Sequence, residues 1–199
     1  MKIKIITIWT VLVIVFLSGC SSTTKVVEHW TDPNFDGKLE NLLVLSLNQS
    51  NKSRRIVENG FLLELKKRNI QAQASYNLLP NYEDLSKESV KAAISGSSID
   101  GVLVMRPVKI TKEDRNVRAQ SEGTRHDTFY AYVGEYRPAY DSYTTTDTTV
   151  HLETNLYVVK DEQLVWTGKT ESFNPTDIKG LITEVVIKIL DQVSKTGFL

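Results

Sequence analysis

The sequence is short of most of the features that announce a chemistry. It contains one cysteine, Cys20, so no disulfide can form within the chain and the fold must hold by core packing. Its three histidines, His29, His126 and His151, stand far apart and lack the short helical or loop spacing of a zinc site. Basic and acidic residues balance at 24 each, which removes the strongly positive surface that nucleic-acid binding requires. There is no G-x-S-x-G nucleophile elbow. No glycine-rich phosphate cradle follows strand one, where NQSNKSRR stands instead; helix-capping amides with Arg54 or Arg55 could bind an anion there, but solvated basic residues are the stronger expectation. No internal repeat or low-complexity tract is present. The apolar run IITIWTVLVIVF at 5–16 is too short, and too abruptly followed by polar residues, for a comfortable membrane span.

What is present begins at the first residues. Lys2 and Lys4 form a short positive region, the run at 5–16 follows, and LSGC closes it at Leu17–Cys20. That order of basic, apolar and small residues is a secretory signal peptide. LSGC resembles the bacterial lipobox, in which small residues precede a cysteine that is acylated and becomes the mature amino terminus. An unpaired cysteine in an exported chain needs an explanation, and acylation supplies one. The expectation is therefore a signal peptide over residues 1–19, a lipidated tether over 20–29 and one domain over 30–199. Resemblance to enterobacterial-type lipoproteins implies a diacylglycerol on Cys20 and an amide-linked acyl chain such as palmitate. Two or more chains hold a protein to a bilayer stably, where one does so marginally. In that system an aspartate directly after the cysteine retains the protein in the inner membrane; Ser21 in its place implies the outer membrane, facing the periplasm. Losing residues 1–19 leaves 180 residues with 22 basic against 24 acidic, enough for one well-buried domain. No cofactor is expected beyond the lipid on Cys20.

Along that domain, LENLLVLSL (39–47) ends in a continuous apolar run suited to a strand buried on both faces. Ser50 or Asn51 can cap a helix in which Val57, Phe61 and Leu65 face inward and which Asn69 ends. IQAQASY (70–76) reads as a second strand, and Ser86 caps a second helix with Val90, Ala93 and Ile94 inward and Gly96 at its end. DGVLVMRPVKIT gives a third strand, where Pro107 implies an edge or a bulge. Alternation from Thr144 to Val159 gives a fourth and LVWTGKTESF a fifth. The last helix is expected to start at an Asn174 cap and to carry the stripe Ile178, Leu181, Ile182, Val185, Val186, Ile189, Leu190 and Val193.

The order β-α-β-α-β-β-β-α predicts an α/β domain built on a single mixed five-stranded sheet with flanking helices. Strands joined by helices should be parallel and the last three antiparallel, and right-handed crossovers give the order 2-1-3-4-5. This architecture resembles the TolB amino-terminal domain, lipoprotein activators of penicillin-binding proteins and curli-secretion lipoproteins. The segment HWTDPNFDG…LLVLSL, with RR opening the first helix and SYNLLP after the second strand, resembles uncharacterised proteobacterial outer-membrane lipoproteins.

Two stretches could carry a site. DPNFDG at 32–37 opens like a calcium loop, but the twelfth position, where a bidentate glutamate belongs, is Leu43. The turn formers Pro33, Asn34, Asp36 and Gly37 make it a turn, with Trp30 and Phe35 expected apolar-side down; a weak external ion at Asp32, Asn34 and Asp36 is the lesser alternative, and no metal site is expected. Residues 112–143 form a long β3–β4 connection by this strand count. They hold Tyr130, Tyr132, Tyr136, Tyr140 and Tyr143, five of the eight tyrosines, beside Arg137. Tyrosine combines a large contact area with a polar tip, as interfaces and membrane boundaries use it. These six residues are the candidate partner-binding set; the alternative is a hairpin whose aromatics pack on one another or on the sheet edge. No catalytic residue is identified. The leading expectation is a non-catalytic binding or assembly role in the cell envelope, through an envelope protein or self-association, as the look-alike families do. An envelope-acting enzyme with an unidentified site, and a structural self-associating lipoprotein, remain open beside it.

Overall fold

The structure, a computed structural model, describes residues 23–118 and 142–199. One six-stranded mixed sheet runs through it, with three helices. In chain order the elements are β1 (Thr24–Thr31), β2 (Asn41–Ser46), α1 (Asn51–Lys67), β3 (Gln71–Ala74), α2 (Lys87–Ile94), β4 (Gly101–Arg118), β5 (Ser142–Val158), β6 (Gln163–Phe173) and α3 (Ile178–Ser194). The sheet order is β1-β6-β5-β4-β2-β3, parallel across β3, β2 and β4 and antiparallel from β4 to β1.

The sheet thus has six strands where five were expected, and its order differs from 2-1-3-4-5 through β1 at the outer edge. TKVVEHWT is too polar to announce itself as a strand. It becomes one because β6 offers a free edge, with Thr24 opposite Ser172 and Thr31 opposite Trp166. The strand expected at 70–76 is also shorter, ending at Ala74.

The helices are made as their sequences suggest, with one correction. Ser50 caps α1 by accepting from Ser53 N, and Asn69 leaves its end at φ 61°. Ser86 and Ser89 form a reciprocal capping box at α2. The cap of α3, however, is Asp177, which accepts from Lys179 N and Gly180 N. Asn174, at φ 44°, instead brackets β5: its side chain accepts from Thr148 N at 2.7 Å and donates to Asp147 at 2.8 Å. Pro107 sits at a β-bulge, because it cannot donate to the β5 ladder.

One face of the sheet is covered by α1 and α3. Val57, Phe61 and Leu65 pack there with Ile182, Val185, Val186, Ile189, Leu190 and Val193 over Leu42, Val44, Leu103, Leu156 and Trp166. The first stripe residue, Ile178, is exposed, since it precedes the point where α3 meets the sheet. The Trp166 indole lies along its own strand over Gly168, where an added Cβ would stand 2.3 Å from the ring; only glycine leaves that room. The DPNFDG segment is a turn anchored by Asp32, which accepts from Asn34 N at 2.9 Å and from the Gln163 side-chain amide. Phe35 packs edge-on against Phe198, with 4.8 Å between centroids, but Trp30 points to solvent at 46% exposure and pins nothing.

Candidate functional site

Strands β4, β5, β6 and β1 carry the open face of the sheet, and their charges alternate across it. Arg106 on β4, Glu153 on β5, Lys169 on β6 and Glu28 on β1 lie in one row. Arg106 donates to both Glu153 oxygens at 3.1 and 3.0 Å, and Lys169 donates to Glu28 at 2.8 Å. Burial would raise the Glu153 pKa, but the hydrogen bonds from Arg106 and Asn155 and the charge of Lys169 together hold it below the usual carboxylate value. The Glu28 carboxylate, by hydrogen bond and charge, raises Lys169 above the ordinary lysine value. A second row joins Lys25, Glu171 and His151, with contacts of 3.1 and 3.4 Å at the glutamate. These rows hold β1 to the sheet through side chains as well as backbone. Their carboxylates are spent on neighbouring cations, and among the described residues no three His, Cys, Asp or Glu converge as a metal site.

Sequence reasoning placed Arg54 and Arg55 in solvent. Arg55 does lie at the surface side, over the Tyr76 ring at 4.4 Å, but Arg54 is fully buried. Its Nε donates to Glu58 at 2.9 Å and its Nη2 to Ser75 at 2.7 Å. Glu58 also accepts from Ser46 N, Ser75 Oγ and Tyr76 N, so one carboxylate ties the ends of β2 and β3 to α1. The i,i+4 spacing of Arg54 and Glu58 was visible in the sequence; their burial was not.

β4 and β5 outrun the rest of the sheet. Beyond the level where β6 ends they continue alone as a ribbon, Lys112–Arg118 against Ser142–Thr148. Those seven residue pairs make an arm of roughly 24 Å. Thr146 donates to Asp114 at 2.7 Å and Arg115 meets Asp147 at 2.6 Å across it. The connection expected over 112–143 is therefore strand at both of its ends. Of the candidate partner-binding residues, Tyr143 is on β5 opposite Val117, while Tyr130, Tyr132, Tyr136, Tyr140 and Arg137 lie outside the described residues, as does Cys20. His126 is outside them too. Residues 119–141 leave the ribbon at Arg118 and rejoin it at Ser142.

The same end of the sheet receives the chain from Cys20. Thr24 is opposite Ser172, which is opposite Val150, and Thr23 accepts from Phe173 N at 3.0 Å. β1 therefore starts level with the root of the ribbon and two strand spacings from β5, about 10 Å away. The expected tether of residues 20–29 is mostly strand, and only four residue steps separate Cys20 from Thr24, at most ~14 Å.

The second, helical half of the other sheet face has a feature the sequence concealed. Val90 and Ile94, expected to pack inward from α2, are only half-buried, because α2 stands off the sheet. Between them and Leu45, Val102, Val104 and Tyr157 lies an open cleft of 660 Å³. Lys87, Lys91 and Glu162 stand on its rim, with Lys91 to Glu162 at 3.1 Å. Among the described residues no helix is long and apolar enough to cross a membrane.

No family model and no curated protein matches the sequence. Among solved structures, the PelC dodecamer from Paraburkholderia phytofirmans aligns over 84% of this chain and 95% of its own, at 12% identity and a TM-score of 0.45. The lipoprotein GNA1162 from Neisseria meningitidis aligns over 78% of this chain and 98% of its own, at 13% identity and a TM-score of 0.40. Both are similarities in the course of the chain at low identity.

Proposed function

We propose that this chain is a lipid-anchored outer-membrane protein facing the periplasm, that its role is binding or assembly rather than catalysis, and that the β4–β5 ribbon is its contact arm. The observation that carries this reading is the meeting of two features at one end of the sheet. The chain enters there from Cys20, and the ribbon leaves there. A tether of at most ~14 Å holds that end close to the bilayer, while the arm reaches roughly 24 Å from it. The tyrosine-bearing segment 119–141 is joined at both of its ends to this two-stranded ribbon, in the layer next to the membrane. Its partner belongs to that layer: another envelope protein, or a second copy of the chain.

The ribbon's own composition supports a binding role. Lys112–Arg115 and Thr144–Thr148 are polar at every position, so this part of the arm adds little to the stability of the sheet. Structure without a packing reason is a feature of segments kept for contact. Interface tyrosines typically cost more than ~1 kcal/mol each when truncated. Changing Tyr130, Tyr132, Tyr136 and Tyr140 together to serine is expected to leave thermal unfolding of the mature protein nearly unchanged and to abolish its crosslinks in cells. A large drop in melting temperature with crosslinks retained would make the tyrosines a packing cluster and end the proposal.

A further inference from the structure

The cleft under α2 is walled mainly by apolar side chains and rimmed by charge. Its sheet-side wall is made of Leu45, Val102 and Val104 and its helix side of Val90 and Ile94, with Ser86, Ser95 and Ser97 near the ends of α2 and the Tyr157 hydroxyl, 3.4 Å from Asn155, as polar tips. An extended peptide seated there would set most of its backbone amides against those apolar side chains, which cannot hydrogen-bond them, and that is costly. A slender, unbranched, wholly apolar segment avoids that cost. The volume is that of an ordinary small-molecule site.

The rim specifies the other end of such a molecule. Lys91 is joined to Glu162, and the hydrogen bond and charge of Lys91, with the charge of Lys87, draw that carboxyl below its usual value. Two lysines against one glutamate leave the rim one charge positive, which suits an anion at the water-exposed mouth. α2 itself is fit to yield to a guest. It is eight residues long, has no fully buried side chain, and is held by its capping box and the rim contact to Glu162.

We propose that this cleft binds one long acyl chain carrying an anionic head group, the chain between α2 and the sheet and the head at Lys87 and Lys91. A free fatty acid and a lysophospholipid share that chemistry. The inference is independent of the ribbon's role and of whether Cys20 is acylated.

The test uses the mature protein in phosphatidylcholine vesicles with palmitate bearing a photoreactive diazirine midway along its chain. Adducts are expected on peptides spanning residues 87–104, and they should vanish in Val104→Trp, which fills the cleft, at an unchanged melting temperature. Should that variant unfold, Ile94→Trp fills the cleft from the helix side and carries the same expectation. Lys87→Glu should lower labelling several-fold. Displacement by unlabelled palmitate alone, by lysophosphatidylglycerol alone, or by both, assigns the head group within the proposed class. Adducts absent from this region, or persisting in a folded cleft-filled variant, overturn the site. Displacement by hexadecanol as effective as by palmitate overturns the anionic head group.

Discussion

The buried Arg54–Glu58 pair is the residue on which the local order of this fold turns. Both side chains are fully buried, and the glutamate accepts from two backbone amides as well as from Arg54 and Ser75. Removing one partner leaves an uncompensated charge in the interior, at a cost of about 3–5 kcal/mol, whereas removing both leaves no charge but strips the Ser46 and Tyr76 amides of their acceptor. Arg54→Ala and Glu58→Ala are each expected to lower urea-unfolding stability by that amount. The double change Arg54→Ala with Glu58→Ala should cost less than the two single changes added together. If the double variant is instead as unstable as the sum of the singles, the pair is not the coupled unit described here. A second residue, Glu153, gives the protein an acid limb. Its pKa is depressed in the fold, so its contribution is present above the ordinary carboxylate value and is lost as pH falls through the lower, folded value. Glu153→Gln should flatten the fall of melting temperature through that window while leaving a constant loss above it; an unchanged acid limb would show that the Arg106 contact contributes nothing.

At the scale of elements, the sequence was most legible where a pattern is local. The α1 stripe of Val57, Phe61 and Leu65 and the run in β2 are read from spacing alone, and all are buried as that spacing requires. The capping serines were equally plain, since a cap is a contact within one turn. What was not legible depends on partners distant in sequence. β1 is a strand because β6, about 140 residues away, leaves an edge beside it. Its residues carry no core-forming alternation, so as sequence it resembles a tether. Asn174 looked like a helix cap because it precedes Pro175, but the chain spends it on Asp147 and Thr148 of β5. The cleft was hidden for a similar reason: Val90 and Ile94 have helical core spacing, and spacing does not state how far a helix stands from the sheet. Of the candidate site, the tyrosine cluster was visible as composition, and the ribbon that carries it was half visible, since polar KEDRNVR and SYTTTDT pair only with each other. This ribbon is expected to be dispensable for folding. Its polar cross-strand pairs each contribute roughly 0.2–1 kcal/mol, so Asp147→Ala should shift melting by no more than a few degrees, and a larger loss would make the arm part of the structural framework.

As a whole molecule, the protein is a sheet covered well on one face, open and charge-patterned over much of the other, with its chain entry and its projecting arm at the same end. The contact arm proposed at that end depends on Cys20 holding it to a membrane; without the anchor, the arm has no fixed layer to work in. With it, two or more acyl chains supply stable attachment, at ~0.8 kcal/mol for each buried methylene. The resemblance to enterobacterial-type lipoproteins implies that Ser21 permits passage to the outer membrane, and on the proposed reading Ser21→Asp should move the protein from the outer-membrane to the inner-membrane fraction. The most direct measurement is the mass of the amino-terminal peptide of the protein isolated from its membrane, beside metabolic labelling and fractionation of Cys20→Ser. The account predicts a mature chain beginning at Cys20 with diacylglycerol and an amide-linked acyl chain, and a variant that is unlabelled and either unprocessed or released from the membrane. An unmodified Cys20, or a variant that keeps both its label and its place in the membrane, would contradict it.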